Sequence, residues 1–178
     1  GKSTHLAQLM DDSGTVIAQD IHHHKLNLIK ENATRLKLRS VKAVIGDATK
    51  IHQQNRTYDR ILVDVPCSGL GTIGRRADTR WRKSEHQIKD IVKLQSDILY
   101  SASQALKSGG RLVYSTCTLT PEENEKVIER FLDENIEFKL ISVEEVLPNF
   151  TGKYLKLWPH LTGTDGFFAA CLCKEENK

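Results

Sequence analysis

The chain has 178 residues, is 39% hydrophobic and 28% charged, and sets 26 Lys+Arg against 23 Asp+Glu for a formal charge of +3. Such a make-up suits one globular domain and argues against global disorder. No apolar run reaches the roughly 18 residues that a membrane-spanning helix needs, and so near-neutral a balance neither demands nor excludes a nucleic-acid partner.

The chain opens Gly1-Lys2-Ser3-Thr4, without Met or a leading strand, and reads as cut from something longer. Thr15–Asp20 is a short β-branched run that ends in an acid, a predicted strand. Leu26, Ile29, Ala33 and Leu36 recur at spacings of three and four, which predicts an amphipathic helix. Val41–Asp47 and Arg60–Asp64 are two further strands, each ending in an acid, and a polar, basic stretch follows from Ser68 to about Lys83. Ile88, Ile91, Val92, Ile98, Leu99, Ala102 and Leu106 trace a long helix that Gly109-Gly110 are expected to stop. Arg111–Cys117 is a fourth strand. Pro121 suits the first turn of another helix, with Val127, Ile128, Phe131 and Leu132 as its apolar face, and two weaker strands are expected near Phe138–Val143 and Gly166–Cys173.

Strands alternating with helices imply an α/β fold with a largely parallel sheet. Asp20, Asp47, Asp64 and Cys117 each stand at the carboxyl end of a predicted strand, the edge where open α/β sheets bind ligands. Four cysteines, Cys67, Cys117, Cys171 and Cys173, lack paired CxxC spacing, so neither a zinc site nor a disulfide framework is expected, and a reducing, cytoplasmic compartment is. Cys171 and Cys173 lie in the apolar run Phe167–Cys173 and read as packing residues of a buried strand.

Three patterns are weaker. Gly69-Leu70-Gly71-Thr72-Ile73-Gly74 fits GxGxxG, but a basic stretch follows it instead of a helix, and a flexible loop is the better reading. Gly1-Lys2-Ser3-Thr4 with Ile61–Asp64 fits the end of a Walker A loop and a Walker B strand, so a nucleotide hydrolase stays open as an alternative. His22-His23-His24 are consecutive and face different ways on a helix, so they read as surface residues and no metal is expected.

Asp64-Val65-Pro66-Cys67 and Thr116-Cys117, the latter followed by Pro121-Glu122-Glu123-Asn124-Glu125, are the most informative segments. With Gly163-Thr164-Asp165-Gly166-Phe167-Phe168 they make the chain resemble the S-adenosylmethionine-dependent RNA cytosine-C5 methyltransferases, in particular the bacterial Sun/Fmu (RsmB-type) group that modifies small-subunit ribosomal RNA. The resemblance implies a class I methyltransferase fold, Rossmann-like, with a seven-stranded, mostly parallel sheet and one reversed strand. It makes Cys117 the nucleophile that adds to carbon 6 of cytosine, which calls for a thiolate and hence a depressed pKa. Cys67 would help the covalent adduct break down, and Asp64 would contact the base near N3. Asp20 would bind the ribose hydroxyls of the cofactor and Asp47 its adenine amino group, Gly1 and Lys2 would end the cofactor loop, and Asp64 would belong to the cofactor site as well. Arg75, Arg76, Arg80, Trp81 and Arg82 sit in a basic segment suited to grip phosphates and stack on a base. In that segment Gly74 and Ala77 replace the family's usual Arg and Pro. The substrate would be ribosomal RNA, with its target base flipped out of any duplex. Residues 1–178 would then be a catalytic domain cut within the cofactor loop and lacking its first central strand, unstable or weak in cofactor binding by itself, with an N-terminal RNA-targeting domain in the full-length protein. A catalytically inactive RNA-binding module of the same fold is the other alternative.

Overall fold

The computed structural model describes residues 1–78 and 85–176. They form two compact units, Gly1–Ile51 and His52 onward.

In the first unit, α1 (Lys2–Leu9) precedes β1 (Val16–Asp20), α2 (His23–Arg35) and β2 (Val41–Ile45). β1 and β2 pair in parallel, with Val16 opposite Val41 and Asp20 opposite Ile45. Both helices pack on this two-stranded sheet. The predicted apolar stripe of α2 delivers Leu26 and Ala33 to the core, and α1, which sequence periodicity did not announce, buries the small residues Thr4 and Ala7. The turn after α1 is fixed by Asp12, whose carboxylate accepts the backbone N–H groups of Arg39 at 2.8 Å and Ser40 at 2.8 Å.

The second unit contains β3 (Tyr58–Asp64), α3 (Glu85–Gln104), β4 (Leu106–Thr116), α4 (Glu125–Glu134), β5 (Phe138–Ile141), α5 (Val143–Val146), β6 (Leu155–Leu157), α6 (Pro159–Thr162) and β7 (Phe167–Lys174). Its sheet has the order β3-β4-β7-β5, with β6 also paired to β7. β3 and β4 are parallel, whereas β7 runs antiparallel to β4, β5 and β6. The expected single reversed strand is therefore β7. One face of the sheet, with Leu112, Tyr114, Phe168, Ala170 and Leu172, is fully buried. α3 packs on β3 and β4 and meets α4, contributing Ile98, Leu99 and Ala102, while α4 contributes Val127, Ile128 and Phe131.

Three expectations are corrected. Gly109-Gly110 do not stop α3, which ends at Gln104. They lie inside β4, where the ladder jumps from Tyr58–Leu106 to Arg60–Arg111, and Gly109 takes the left-handed φ of 72° that this excursion needs. Pro121 lies in a turn ahead of α4 rather than in its first turn, because the helix starts at Glu125. Cys171 and Cys173 are half-buried, on the face of β7 opposite Phe168, Ala170 and Leu172. Among the described residues, no helix is long and apolar enough to cross a membrane.

Candidate active site

In the second unit, neighbouring parallel strands deliver a cysteine each. Asp64 ends β3 opposite Ser115 of β4, Cys67 follows three residues later, and Cys117 comes directly after β4. The Cys67 and Cys117 sulfurs lie 3.0 Å apart, and the Cys117 backbone N–H also points at the Cys67 Sγ, at 3.3 Å. Both side chains are half-buried. The Cys67 thiol pKa is pushed far up, first by its hydrogen bond with Cys117, then by burial, then by charge on Cys117. The Cys67 thiol is thus biased toward its protonated form. The Ser115 hydroxyl donates to Asp64 Oδ1 at 3.1 Å, which orients a carboxylate that is itself exposed.

Two devices hold the cysteine loops. Gly71 sits at the centre of a 3-10 turn, Leu70–Thr72, and donates its N–H to the Cys117 carbonyl at 3.0 Å while accepting from Gly166 N–H at 2.8 Å. Gly69 enters this turn at φ 74°, and the turn opens no α-helix, so the GxGxxG pattern is a tight loop. Glu123 is the other device, and reading the sequence did not single it out. It is fully buried. Its carboxylate accepts the Ser68 N–H at 2.7 Å, the Ser68 hydroxyl, the Thr120 hydroxyl at 2.8 Å and the Gln95 amide at 3.1 Å. The only available signal was its place in the Pro121–Glu125 run, which carried family likeness but no assigned role.

In the first unit, Asp20 and Asp47 stand at the ends of the adjacent strands β1 and β2. Asp20 Oδ1 accepts the His22 N–H at 2.9 Å and Oδ2 faces Lys25 Nζ at 3.3 Å. Asp47 Oδ1 accepts both the N–H and the hydroxyl of Thr49, at 2.9 and 2.8 Å, and Oδ2 faces Lys50 at 3.9 Å. The Thr49 hydroxyl, then its amide, hold the Asp47 carboxyl below the usual carboxylate range. In both acids one oxygen serves the local backbone and the other faces an exposed lysine, a weak pairing that a ligand hydroxyl or amine can displace. Gly1 is the N-cap of α1, its carbonyl accepting the Thr4 hydroxyl at 2.9 Å, and Lys2 is the first helical residue.

The basic segment is described only in part. Arg75 is drawn into an ion pair with Asp165, its Nε donating at 3.2 Å and its Nη2 pairing with the other oxygen. This clasps the glycine loop to the Gly163–Phe168 stretch. Arg76 is exposed, and Arg80, Trp81 and Arg82 lie outside the described residues. His22 precedes α2 as its N-cap and His23 begins it; among the described residues no group of three or more His, Cys, Asp or Glu could hold a metal ion.

Residues 1–173 match the family described as 16S rRNA methyltransferase RsmB/F. The chain is 41% identical over 183 aligned residues to the probable ribosomal RNA small subunit methyltransferase B of Bacillus subtilis, covering 98% of this chain and 41% of the relative. It is 42% identical to the protein of the same description from Synechocystis, again over 98% of this chain and 41% of the relative. It thus spans about two fifths of the length of these relatives. Among solved structures, NSun6 from Pyrococcus horikoshii, crystallised with SFG, superposes with a TM-score of 0.88 at 34% identity, over 99% of this chain and 46% of that one.

Proposed function

The chain belongs to the 16S rRNA methyltransferase RsmB/F family and has a class I methyltransferase fold, and from that premise we propose that it methylates carbon 5 of a cytosine in small-subunit ribosomal RNA. The observation that carries the reading is the pair of sulfurs, 3.0 Å apart at the ends of two adjacent parallel strands, with a carboxylate on the same edge. One thiol of such a pair can be a nucleophile while the other holds a proton beside it.

Carbon 5 of cytosine is a poor nucleophile. In this proposal the Cys117 thiolate adds to carbon 6, forming an S–C6 bond, while Asp64 assists protonation at N3; the electron pair then sits on an enamine that is nucleophilic at carbon 5. S-adenosylmethionine supplies the electrophilic methyl group when bound. Cys67 then gives its proton to the departing Cys117 sulfur as the S–C6 bond breaks, and as a thiolate takes up the proton that carbon 5 loses. N3 returns its proton, and one proton leaves to solvent to restore the Cys117 thiolate. The raised pKa of Cys67 suits a group that must remain protonated until that final step.

The acids of the first unit fit the cofactor. A carboxylate oxygen at Asp20 suits the paired ribose hydroxyls, and one at Asp47 suits the adenine amino group. Gly1 and Lys2, at the start of α1, belong to the same cofactor loop in this reading. RNA contacts fall to Arg76 and to the segment with Arg80, Trp81 and Arg82. Arg75 reaches phosphate only by giving up Asp165. RNA targeting is assigned to an N-terminal domain of the full-length protein, and a ribosomal substrate places the enzyme in the cytoplasm.

Methyl transfer by the full-length enzyme to a ribosomal RNA fragment tests the scheme. Cys117→Ser is expected to abolish methylation. Cys67→Ala is expected to trap a protein–RNA adduct, seen as a shifted band on a denaturing gel. Full activity in the Cys117→Ser enzyme would sink the mechanism.

A further inference from the structure

The loops that carry Cys67 and Cys117 are joined by more than the sulfur contact. Ser68 follows Cys67, and both its N–H and its hydroxyl are donated to the Glu123 carboxylate. Pro66 precedes Cys67, and its carbonyl accepts the Gln95 amide at 2.9 Å, the same Nε2 that reaches Glu123. Both chain neighbours of Cys67 are therefore tied, directly or through Gln95, to one carboxylate. On the other side, the Ser68 hydroxyl meets the Thr118 hydroxyl at 2.8 Å, directly after Cys117. The Thr116 hydroxyl donates to Asn124 Oδ1 at 2.6 Å, and Asn124 Nδ2 donates to the Thr118 carbonyl at 3.1 Å. Tyr114 ties its hydroxyl to the Glu123 carbonyl at 2.6 Å.

The proton count is determinate. Ser68 N–H and the Gln95 amide can only donate, and they occupy Oε2. The Ser68 and Thr120 hydroxyls both give their protons to Oε1. Ser68 Oγ, having spent its proton, must accept from Thr118. Four donors thus fill the four lone-pair directions of a carboxylate that is 0% exposed, and they do so with neutral groups. A buried carboxylate so completely satisfied is rigid, since turning any member leaves a donor unpaired in a buried site.

We propose that Glu123 is a positioning residue for the second cysteine: through Ser68 and Gln95 it fixes the Cys67 sulfur against Cys117 so that the proton can pass between them when the adduct breaks down. The inference rests on the two-cysteine reading above. It separates the two halves of the reaction. Addition of Cys117 to the base uses one sulfur, whereas release uses both, so loosening Cys67 slows release more than addition.

Glu123→Gln is the informative change. It keeps the volume. The amide oxygen can still take the two obligate donors, and the Ser68 and Thr120 hydroxyls can turn to accept from the new NH2 group. The charge and the ordered hydroxyl chain are lost. Ser68→Ala is the milder companion, removing only the Ser68 hydroxyl. Both are assayed in the full-length enzyme with ribosomal RNA fragment and S-adenosylmethionine, beside Cys67→Ala. The expected result is turnover reduced at least about tenfold, an unchanged KM for S-adenosylmethionine, and a larger fraction of enzyme trapped as protein–RNA adduct than in the wild type. A purely structural role would lower adduct and turnover together, and that outcome overturns the inference. If Cys67→Ala traps adduct while Glu123→Gln and Ser68→Ala do not, the positioning role alone fails. If Cys67→Ala traps none, the two-cysteine reading fails with it.

Discussion

Gly71 shows how little room the cysteine loops have. A Cβ placed there would press into the Gly166 carbonyl oxygen and come within 2.8 Å of the Cys117 carbonyl oxygen. Both contacts are with backbone, which cannot swing aside. Gly71→Ala is expected to cost about 1–3 kcal/mol by overpacking, read as a lower midpoint in urea, and to displace the Cys117 loop. The thiols give a second test. Cys117 is the largest cause of the raised Cys67 pKa, so Cys117→Ala makes Cys67 more acidic. Each pKa unit recovered multiplies the Cys67 thiolate fraction about tenfold below its pKa, and alkylation of Cys67 at pH 8 by iodoacetamide should quicken accordingly. Cys171, raised mainly by burial, should keep its slow rate in the same variant. The two cysteines to which the chemistry is assigned stood out in the sequence because each lay beside a strand end in a distinctive motif, and the structure brings their sulfurs to 3.0 Å. Glu123 was not, since nothing in a string of letters shows that one of the acids in Glu122-Glu123-Asn124-Glu125 points inward while Glu122 faces solvent and pairs with Lys126. Gly71 was read as a flexible loop residue, whereas its missing side chain serves close approach of backbone to backbone.

At the scale of elements, the periodic helices and apolar strands were legible and the short or small-residue ones were not. α4 was foretold by Val127, Ile128, Phe131 and Leu132, of which the first three are buried and Leu132 is half-buried. Phe131 stacks edge-on to Phe138 of β5, ring centroids 5.1 Å apart, so Phe131→Ala is expected to lose about 3–5 kcal/mol of stability in chemical denaturation. α1 escaped notice because its buried residues are Thr4 and Ala7, while Leu6 and Leu9 are exposed. β6 has three residues, too few for an alternating pattern to declare itself. The Asp12 turn gives a pH test. Its carboxyl is held below the usual range, first by Ser40 and then by the amides of Arg39 and Ser40. A carboxylate with a depressed folded pKa adds stability above its unfolded pKa of about 3.9, and that stability drains away as pH falls through the folded value. Asp12→Asn should therefore be less stable at neutral pH and show a flatter acid limb in thermal melts taken below about pH 4.

At the scale of the whole molecule, the division into two units separates two kinds of chemistry. The acids assigned to the cofactor, Asp20 and Asp47, belong to Gly1–Ile51, and the sulfurs belong to the unit that starts at His52. Asp20→Ala in the full-length enzyme is expected to weaken S-adenosylmethionine binding about 10- to 100-fold in calorimetry, the loss of charge-assisted hydrogen bonds, while Cys67 and Cys117 keep their alkylation rates. The alternation of strands and helices revealed the α/β class, but not which strand lies where, because pairing partners are set by contacts far apart in sequence. β7 is the plainest case. It joins β4 on one side and both β5 and β6 on the other, yet it follows all of them in sequence. During synthesis the ribosome delivers β3, α3, β4, α4, β5 and β6 before the segment that unites them exists. Until Lys174 clears the exit tunnel, β4 has one parallel neighbour and β5 and β6 have no ladder partner among the described strands. The second unit therefore closes only once β7 has emerged, in one late step of high contact order that leaves the edges of β4, β5 and β6 open until then.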